Sequence, residues 1–196
     1  MTEKHDFEER YLEGDPPWDT GRPDRGLGQT IALHSIRPCK VLEFGCGTGQ
    51  NAIYLAGLGF DVTAVDISET AIKRAMEGLV RGLEVNFQVA NIIDGPIEGG
   101  PFEFVFDRGC LHSFDTPSGR MACSKAVAEN LADGGLWLTM AGNGDDPDTM
   151  SGPPRLTGRE ILEAVEPSFE VLELKRSRFD SDNAPLIWSC LSRKRS

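Results

Sequence analysis

The 196-residue sequence has no long apolar run, no excess of basic residues and no motif of closely paired cysteines. No stretch approaches the roughly 18 consecutive apolar residues of a membrane-spanning helix. The N-terminus lacks the basic region and apolar core of a secretory signal. With 20 Lys and Arg against 31 Asp and Glu, the formal charge is −11, which argues against sequence-independent nucleic-acid binding because phosphate affinity needs clustered basic side chains. We therefore expect a cytoplasmic protein with neither a nucleic-acid nor a membrane partner.

The cysteines are few, odd in number and scattered along the chain. None forms a C-x-x-C pair, and no Cys/His spacing matches a zinc site, so the sequence predicts reduced thiols and no metal. The length fits one domain spanning residues 1–196, since domains commonly run about 100–200 residues.

From residue 38 onward, predicted strands and helices alternate. Apolar runs and alternating patterns predict strands at 41–44, 61–65, 84–89, 102–106, 136–140, 169–174 and 186–191. Helices are predicted at 25–36, 51–58, 68–79 with Ser68 as N-cap, 118–131 closed by Gly134 and Gly135, and after a capping box at 157–160. Residues 1–24 are polar and end in a run dense in turn formers, Gly14 to Pro23, and 142–154 form a loop rich in Gly, Asp and Pro. This order predicts an open, mostly parallel α/β sheet, in which ligands bind outside the carboxyl ends of the strands.

The first predicted strand runs into a glycine-rich turn, Glu43-Phe44-Gly45-Cys46-Gly47-Thr48-Gly49, ahead of a helix. Glycines allow a sharp turn and bring backbone N–H groups close to a ligand. Asp66 follows Gly47 by 19 residues, at the end of the second predicted strand. An acidic residue at that place suits the two hydroxyls of a ribose.

The glycine spacing separates two kinds of nucleotide site. Dinucleotide sites need G-x-G-x-x-G/A, but Gln50 occupies the last position here and Gly49 falls one residue early. An NAD-binding oxidoreductase is therefore disfavoured.

The segment V-L-E-F-G-C-G-T-G with its downstream Asp resembles motif I of class I S-adenosylmethionine-dependent methyltransferases, and the resemblance covers residues 38–192. It implies a Rossmann-like, open seven-stranded sheet with helices on both faces and a terminal antiparallel strand. The cofactor would be S-adenosylmethionine, leaving as S-adenosylhomocysteine. Its methionine part would lie at the glycine turn, its ribose on Asp66 and its adenine between Ile67 and Asn91. The implied cofactor residues are Trp18, Glu43, Gly45, Cys46, Gly47, Gly49, Asn51, Asp66, Ile67, Asn91, Ile92 and Asp107.

Two further segments, W-D-T-G-R-P near the N-terminus and F-D-R-G after the fourth predicted strand, are similar to thiopurine, thiol/halide and tellurite-resistance methyltransferases. Those enzymes methylate small, soft nucleophiles beneath an N-terminal lid. The resemblance thus implies a lid and helix at residues 1–37 and a catalytic core at 38–192.

Methyl transfer is an in-line displacement that needs positioning more than acid–base catalysis. A thiol already supplies some thiolate at neutral pH, whereas an oxygen or nitrogen acceptor needs a base, and His112 is the candidate. The alternative for His112 is a packing role. Asp107 either orients its loop or abstracts a proton.

The candidate substrate residues each have a second interpretation. Arg22, Arg25 and Arg108 could receive an anionic substrate or hold carboxylates of the fold, and Trp18 could close over a ligand or simply pack in the lid. We expect methyl transfer to a small molecule bearing a thiol, a selenium or tellurium species, a halide or a small O/N acceptor, by a monomer or homodimer. The alternatives are an RNA or protein methyltransferase and a cofactor-binding module without catalysis.

Overall fold

The structure, a computed structural model, describes residues 4–14, 16–146 and 154–195. Within them the helices are α1 Lys4–Glu13, α2 Arg25–Leu33, α3 Gln50–Gly57, α4 Glu69–Glu77, α5 Pro117–Asn130 and α6 Gly158–Val165. The strands are β1 Lys40–Phe44, β2 Asp61–Asp66, β3 Asn86–Val89, β4 Phe102–Arg108, β5 Leu131–Asn143, β6 Arg155–Leu156, β7 Phe169–Arg178 and β8 Leu186–Lys194. Short 3₁₀ turns lie at Ile92–Asp94 and Leu111–Ser113. None of the helices described is long and apolar enough to cross a membrane.

The strands form one sheet in the order β3-β2-β1-β4-β5-β8-β7, and β6 adds two residues beside β5. Neighbours from β3 to β5 are parallel, whereas β8 is antiparallel to both β5 and β7. The predicted mostly parallel sheet with a terminal antiparallel strand is confirmed, and β6 is an addition to it. The chain reverses its direction of travel across the sheet between β1 and β4, and ligands of such sheets bind at this switch point.

Side chains that alternate along the strands belong to two buried apolar clusters. On β1, Leu42 packs with residues of α5 and α6, while Val41 packs with residues of α2, α3 and α4. Because successive strand residues point to opposite faces, helices cover both sides of the sheet, as the resemblance implied.

Two local capping signals are confirmed. Ser68 caps α4, and its hydroxyl oxygen accepts a hydrogen bond from the Ala71 N–H at 3.0 Å. Thr157 and Glu160 form the reciprocal capping box of α6, in which the Thr157 oxygen accepts from the Glu160 N–H and Glu160 accepts from the Thr157 N–H. In each cap the two hydrogen-bonded residues are three positions apart in the chain, so the local sequence is enough to predict it.

The structure adds a helix that the sequence did not predict, α1, in the polar stretch ahead of Gly14. Contacts with α4 hold this helix in place. Glu8 accepts hydrogen bonds from the hydroxyls of Ser68 and Thr70 at 2.5 and 2.6 Å. Arg74 donates to the Tyr11 carbonyl at 2.7 Å. Tertiary contacts therefore anchor α1, as they do most short helices of proteins.

The boundaries around α5 and β5 also differ from their predictions. Gly134 and Gly135 do not close α5, which ends at Asn130, because β5 begins at Leu131 and continues to Asn143. Pairing with β4, β6 and β8 supplies hydrogen bonds along that longer strand. Helix α2 stops at Leu33, ahead of Ser35 in a left-handed conformation, and β3 starts at Asn86 instead of residue 84. Residues 147–153 of the predicted 142–154 loop lie outside the described part.

Candidate active site

The turn after β1 is built from glycines that no other residue could replace. Gly45, Gly47 and Gly49 have φ of +64°, +54° and +78°. A Cβ on Gly45 would collide with Cys110 Sγ, and one on Gly47 would lie 2.7 Å from the Tyr11 hydroxyl. The left-handed conformation and the close packing both demand glycine at these positions.

Asp66 ends β2 beside this turn and is 7% exposed. Its Oδ2 accepts the Gly47 N–H and its Oδ1 accepts the Ser68 N–H, both at 2.9 Å. Burial raises the pKa of Asp66. Asp66 therefore braces the turn and the start of α4. Each carboxylate oxygen keeps a further acceptor position, which a ribose hydroxyl could use.

Glu43 is buried in β1, below the same turn. Its Oε1 accepts a hydrogen bond from Asn51 Nδ2 at 3.0 Å, while Oε2 is buried without a partner. Burial raises the pKa of Glu43 to about 8. A cationic group next to Oε2 would favour the carboxylate form, so this orphaned oxygen fits the ammonium end of S-adenosylmethionine.

Asn51 links this carboxyl group to the N-terminal segment. Besides donating to Glu43, Asn51 accepts the Asp24 backbone N–H at its Oδ1, at 2.8 Å. Both ends of the amide are thus engaged with the protein. Asn51 positions Glu43, and its contact with a cofactor stays a prediction.

The predicted adenine residues lie where β2 and β3 end side by side. The Ala90 N–H donates to the Asp66 carbonyl at 3.0 Å, which holds the two strand ends together. The Asn91 side chain caps the following turn, accepting the Ile93 N–H at 3.3 Å, and Ile92 is buried in the apolar core. Ile67 follows Asp66 directly and is partly buried. The structure brings these residues to one edge of the sheet, as predicted.

Trp18 packs within the N-terminal segment above the glycine turn. Its indole N–H donates to the Tyr11 hydroxyl at 3.0 Å, and its ring makes edge-to-face contacts with Phe7 and Tyr11. A cavity of about 300 Å³ lies between this segment and the turn, lined by Asp19, Gly21, Thr48, Gln50 and Arg74.

Sequence reasoning missed Tyr11, which is 2% exposed and lies against Gly47. The spacing of Phe7 and Tyr11 at i and i+4 was the available signal, because it places two aromatic rings on one face of a helix. Burial and the nearby Asp66 raise the pKa of the Tyr11 hydroxyl. Tyr11 and Trp18 together place an aromatic cover over the turn.

Asp107, at the end of β4, is fully buried among hydrogen-bond donors. Its Oδ1 accepts the N–H groups of Cys110 and Leu111 at 3.0 and 3.3 Å, and its Oδ2 accepts the Trp137 indole N–H at 3.0 Å. Burial raises its pKa to about 6. This geometry favours the orienting alternative over proton abstraction, since Asp107 fixes the turn that carries His112.

Replacing Asp107 with asparagine should lower the free energy of unfolding by about 1–3 kcal/mol, although the two side chains have the same shape. Both carboxylate oxygens of Asp107 accept hydrogen bonds from N–H groups. In either orientation of the asparagine amide, its NH₂ group would therefore face an N–H group and could not accept a hydrogen bond. Urea unfolding measures the change. As a control, Asp133→Asn alters a 94% exposed side chain and should change stability by less than about 0.5 kcal/mol. Equal stability of the two variants would contradict the role assigned to Asp107.

His112 lies in the 3₁₀ turn after β4 and is 7% exposed. Its Nδ1 accepts the Gly142 N–H at 2.8 Å, and its ring meets Phe179 edge-to-face. Burial and the neighbouring Arg108 lower its pKa to about 4. His112 is therefore a neutral imidazole at physiological pH, tied to the end of β5.

Arg108 belongs to a buried ion pair. Its Nε donates to Asp24 Oδ2 at 2.8 Å and its Nη1 to the Trp18 carbonyl at 3.2 Å, while the guanidinium stacks 4.4 Å from the centre of the Phe179 ring. Asp24 Oδ2 also accepts the Asp180 N–H. Arg108 thus ties the N-terminal segment to the β7–β8 hairpin beside His112.

The other two predicted arginines lie on the outer side of this hairpin. Arg22 pairs with Asp180 and Asp182 at 3.4 and 3.6 Å, and Arg25 pairs with Asp180 at 3.0 Å. The structure therefore favours the fold-holding interpretation for Arg22, Arg25 and Arg108. Nothing in the sequence signals these partners, because Asp180 lies more than 150 residues away from the arginines that it binds.

Cys46 and Cys110 line the bottom of the site. Burial raises both thiol pKa values well above the ordinary range, so neither cysteine is a thiolate at neutral pH. Cys110 Sγ donates to the Phe44 carbonyl at 3.3 Å and lies against Gly45. Both residues serve as small packing groups here, as expected for Cys46.

A glycine turn after β1, an acidic residue ending β2 and a sheet with this strand order are the features expected of a class I S-adenosylmethionine-dependent methyltransferase. Residues 41–135, just under half of the chain, match a family model described as "Methyltransferase domain". The resemblance found in the sequence is confirmed: the chain carries a methyltransferase domain, and its cofactor is S-adenosylmethionine.

One similar relative is the 2-heptyl-1-hydroxyquinolin-4(1H)-one methyltransferase of Mycobacteroides abscessus, 27% identical over 83% of this chain and 72% of the relative. TehB from Haemophilus influenzae has a solved structure with a TM-score of 0.67 and 26% identity, covering 86% of this chain and 62% of that chain. The 1,6-didemethyltoxoflavin-N1-methyltransferase of Burkholderia thailandensis has a TM-score of 0.77 and 22% identity, covering 98% of this chain and 87% of that chain. Other curated relatives are matched over about half of their length or less. The comparisons support a small-molecule methyltransferase.

Proposed function

We propose that the protein transfers the methyl group of S-adenosylmethionine to a small acceptor whose nucleophilic atom is soft or easily ionised. The observation that carries the proposal is the pairing of two half-sites at one switch point. Glu43 lies in β1 and Asp66 ends β2, while Arg108 ends β4, the other neighbour of β1, and His112 follows that strand. When bound, the cofactor supplies an electrophilic methyl group on a sulfonium ion.

The residues of the chain bind, orient and exclude water. Glu43 offers an acceptor to the cationic end of the cofactor, and Asp66 offers acceptors to its ribose. Tyr11 and Trp18 cover the glycine turn, while the Arg108–Asp24 pair fastens the N-terminal segment over the end of β4. Alignment of two reactants in a water-poor site is the main contribution that a protein can make to such a displacement.

The relatives suggest two acceptor types. The first is a thiol, selenium, tellurium or halide species, in line with the similarity to TehB and to the tellurite-resistance group. The second is a small O or N acceptor such as an N-hydroxyl, in line with the similarity to the hydroxyquinolone methyltransferase. Both types are compact, which suits a site closed by the N-terminal segment. The five free cysteines support a reducing, cytoplasmic setting.

Cofactor binding should depend strongly on Asp66. Asp66→Ala removes a charged acceptor and the brace of the Gly47 N–H, so the affinity for S-adenosylhomocysteine should fall by about 5- to 150-fold, corresponding to about 1–3 kcal/mol. Isothermal titration calorimetry measures this change. Asp61→Ala, at the exposed start of the same strand, is the control and should bind as the wild type does. If a folded Asp66→Ala protein binds S-adenosylhomocysteine with unchanged affinity, Asp66 does not bind the ribose.

An acceptor panel separates this proposal from its alternatives. It should contain thiols, sulfide, selenite, tellurite, iodide, small phenols and N-hydroxyquinolones, together with bulk RNA and a protein extract. Methylation of a small molecule of the panel supports the proposal. Methylation of RNA or protein alone favours a macromolecular methyltransferase. Cofactor binding without turnover on the whole panel favours a binding module.

A further inference from the structure

The hydrogen bond between His112 and Gly142 fixes the tautomer of the imidazole. A backbone N–H can only donate, so Nδ1 of His112, 2.8 Å from the Gly142 nitrogen, must present a lone pair. In a neutral imidazole the single proton then lies on Nε2. Protonating Nδ1 would break this bond and leave the buried Gly142 N–H without its acceptor.

The other nitrogen of the ring faces the turn after β4. Nε2 lies next to Gly109, where an added Cβ would approach it to 3.2 Å, so the missing side chain leaves space beside this atom. Among the residues that the structure describes, none forms a hydrogen bond with Nε2, and the residue keeps 7% of its surface exposed. An N–H group in this position is free to donate to a bound ligand.

The charged groups around the ring keep it neutral. Arg108, on β4, repels a second proton; its guanidinium pairs with Asp24 at 2.8 Å and stacks on Phe179. Asp107, one turn earlier, is directed into the N–H groups of Cys110 and Leu111 and toward Trp137. The Phe179 ring, from the β7–β8 hairpin, contributes no charge. No carboxylate described here makes a hydrogen bond to the ring.

We infer that His112 holds the methyl acceptor by donating its Nε2–H to it, and that it is not the general base that the sequence suggested. This inference rests on the proposed function. The acceptor would lose its proton to solvent before transfer and bind as an anion. Its lone pair then forms the bond to the methyl carbon, and the electron pair of the breaking bond stays on the cofactor sulfur. The charges of anion and sulfonium cancel, and no proton moves in the step.

This assignment selects a chemical class of substrate. Thiols, selenols, acidic phenols and N-hydroxy heteroaromatics ionise without help near neutral pH, whereas aliphatic alcohols do not. An acceptor anion also gains a hydrogen bond from Nε2–H that a neutral alcohol would use less strongly. The enzyme should therefore methylate acidic acceptors and leave aliphatic alcohols unchanged.

Nitrogen NMR of the full-length protein tests the tautomer without any turnover. The chain has three histidines, so ¹⁵N-histidine labelling gives three pairs of ring-nitrogen signals, and His112→Gln identifies the pair of interest. At pH 7 we expect a proton on Nε2 and a bare Nδ1, and this state should persist as the pH falls toward about 4. A proton on Nδ1 with a bare Nε2, or a doubly protonated ring at neutral pH, would overturn the inference.

The pH profile tests the role. Across a series of aryl thiols or phenols of different acidity, the midpoint of kcat/KM should follow the pKa of each acceptor. A midpoint that stays fixed for all acceptors and vanishes in His112→Gln would instead identify a base. The donor role also predicts that His112→Leu loses about 10- to 100-fold in kcat/KM while His112→Gln, which keeps an N–H donor, loses less. Equal losses in both variants would contradict it.

The two failures are distinguishable. If no small acceptor is methylated, the proposed function fails, while the NMR result still reports the state of His112. If acceptors are methylated but the ring has the opposite tautomer, only the inference about His112 fails.

Discussion

Replacing Gly45 with alanine should remove measurable cofactor binding and destabilise the fold by about 2–5 kcal/mol. About 1–2 kcal/mol comes from the left-handed backbone, whose φ is +64°. A further 1–3 kcal/mol or so comes from overpacking against Cys110 Sγ, which a hydrogen bond to the Phe44 carbonyl holds in place. The turn cannot relax without moving the backbone that would face the cofactor. Urea unfolding and calorimetry with S-adenosylhomocysteine measure the two losses.

Two variants divide the loss into its parts. Gly134→Ala has the backbone cost alone, because φ is +71° there and an added Cβ would meet nothing within 4 Å. Adding Cys110→Ala to Gly45→Ala removes the colliding sulfur and should recover the overpacking part, since the Cys110 Cβ is 3.7 Å from the added atom. If Gly45→Ala is no worse than Gly134→Ala and still binds the cofactor, the close-packed turn plays no part in binding.

Arg108→Met should cost about 3–5 kcal/mol, because it leaves the buried Asp24 carboxylate without its cation. The Arg108 and Asp24 side chains are 13% and 1% exposed, so solvent screens their 2.8 Å contact little. The same change also removes the hydrogen bond to the Trp18 carbonyl and the stacking of the guanidinium on the Phe179 ring. We therefore expect lower stability in urea together with faster proteolysis within the N-terminal segment.

A matched arginine that pairs with the same hairpin serves as the control. Arg25 pairs with Asp180 at 3.0 Å, but its side chain is 79% exposed, so Arg25→Met should cost less than about 1 kcal/mol. Combining Asp24→Asn with Arg108→Met removes both charges and should recover part of the loss. Equal destabilisation by Arg108→Met and Arg25→Met would show that the buried pair does not fasten the segment.

The parts of the site that the sequence predicts are those governed by local geometry. The glycine turn, the carboxyl group of Asp66 and the caps at Ser68 and Thr157 each depend on residues close together in the chain or on the ends of adjacent parallel strands. Periodicity also gives the succession of strands and helices along the chain. The right-handed crossover between parallel strands then leaves few ways to arrange those strands in a sheet. The cofactor half of the site is therefore predictable from short motifs.

The acceptor half could not be predicted, because contacts distant in sequence determine it. The N-terminal helix lies over the site because Glu8 and Tyr11 dock on α4 and on the glycine turn, contacts that are distant in sequence. The arginines near the site were candidates for an anionic ligand until Asp24 and Asp180 appeared as their partners. His112 was a candidate base, and the contact that points instead to a donor, with the Gly142 N–H, lies 30 residues away along the chain. Residue type alone does not show which of its two nitrogens faces the substrate.

Transfer of a radiolabelled methyl group distinguishes a small-molecule methyltransferase from its alternatives. The full-length protein is incubated with labelled S-adenosylmethionine and each member of the acceptor panel, with Asp66→Ala and Asp61→Ala in parallel. We expect label in a thiol, an acidic phenol or an N-hydroxy compound. At limiting cofactor the rate of methyl transfer should fall strongly in Asp66→Ala and stay at the wild-type rate in Asp61→Ala. Label found only in RNA or protein, or in no acceptor while the cofactor binds tightly, would contradict the proposed function.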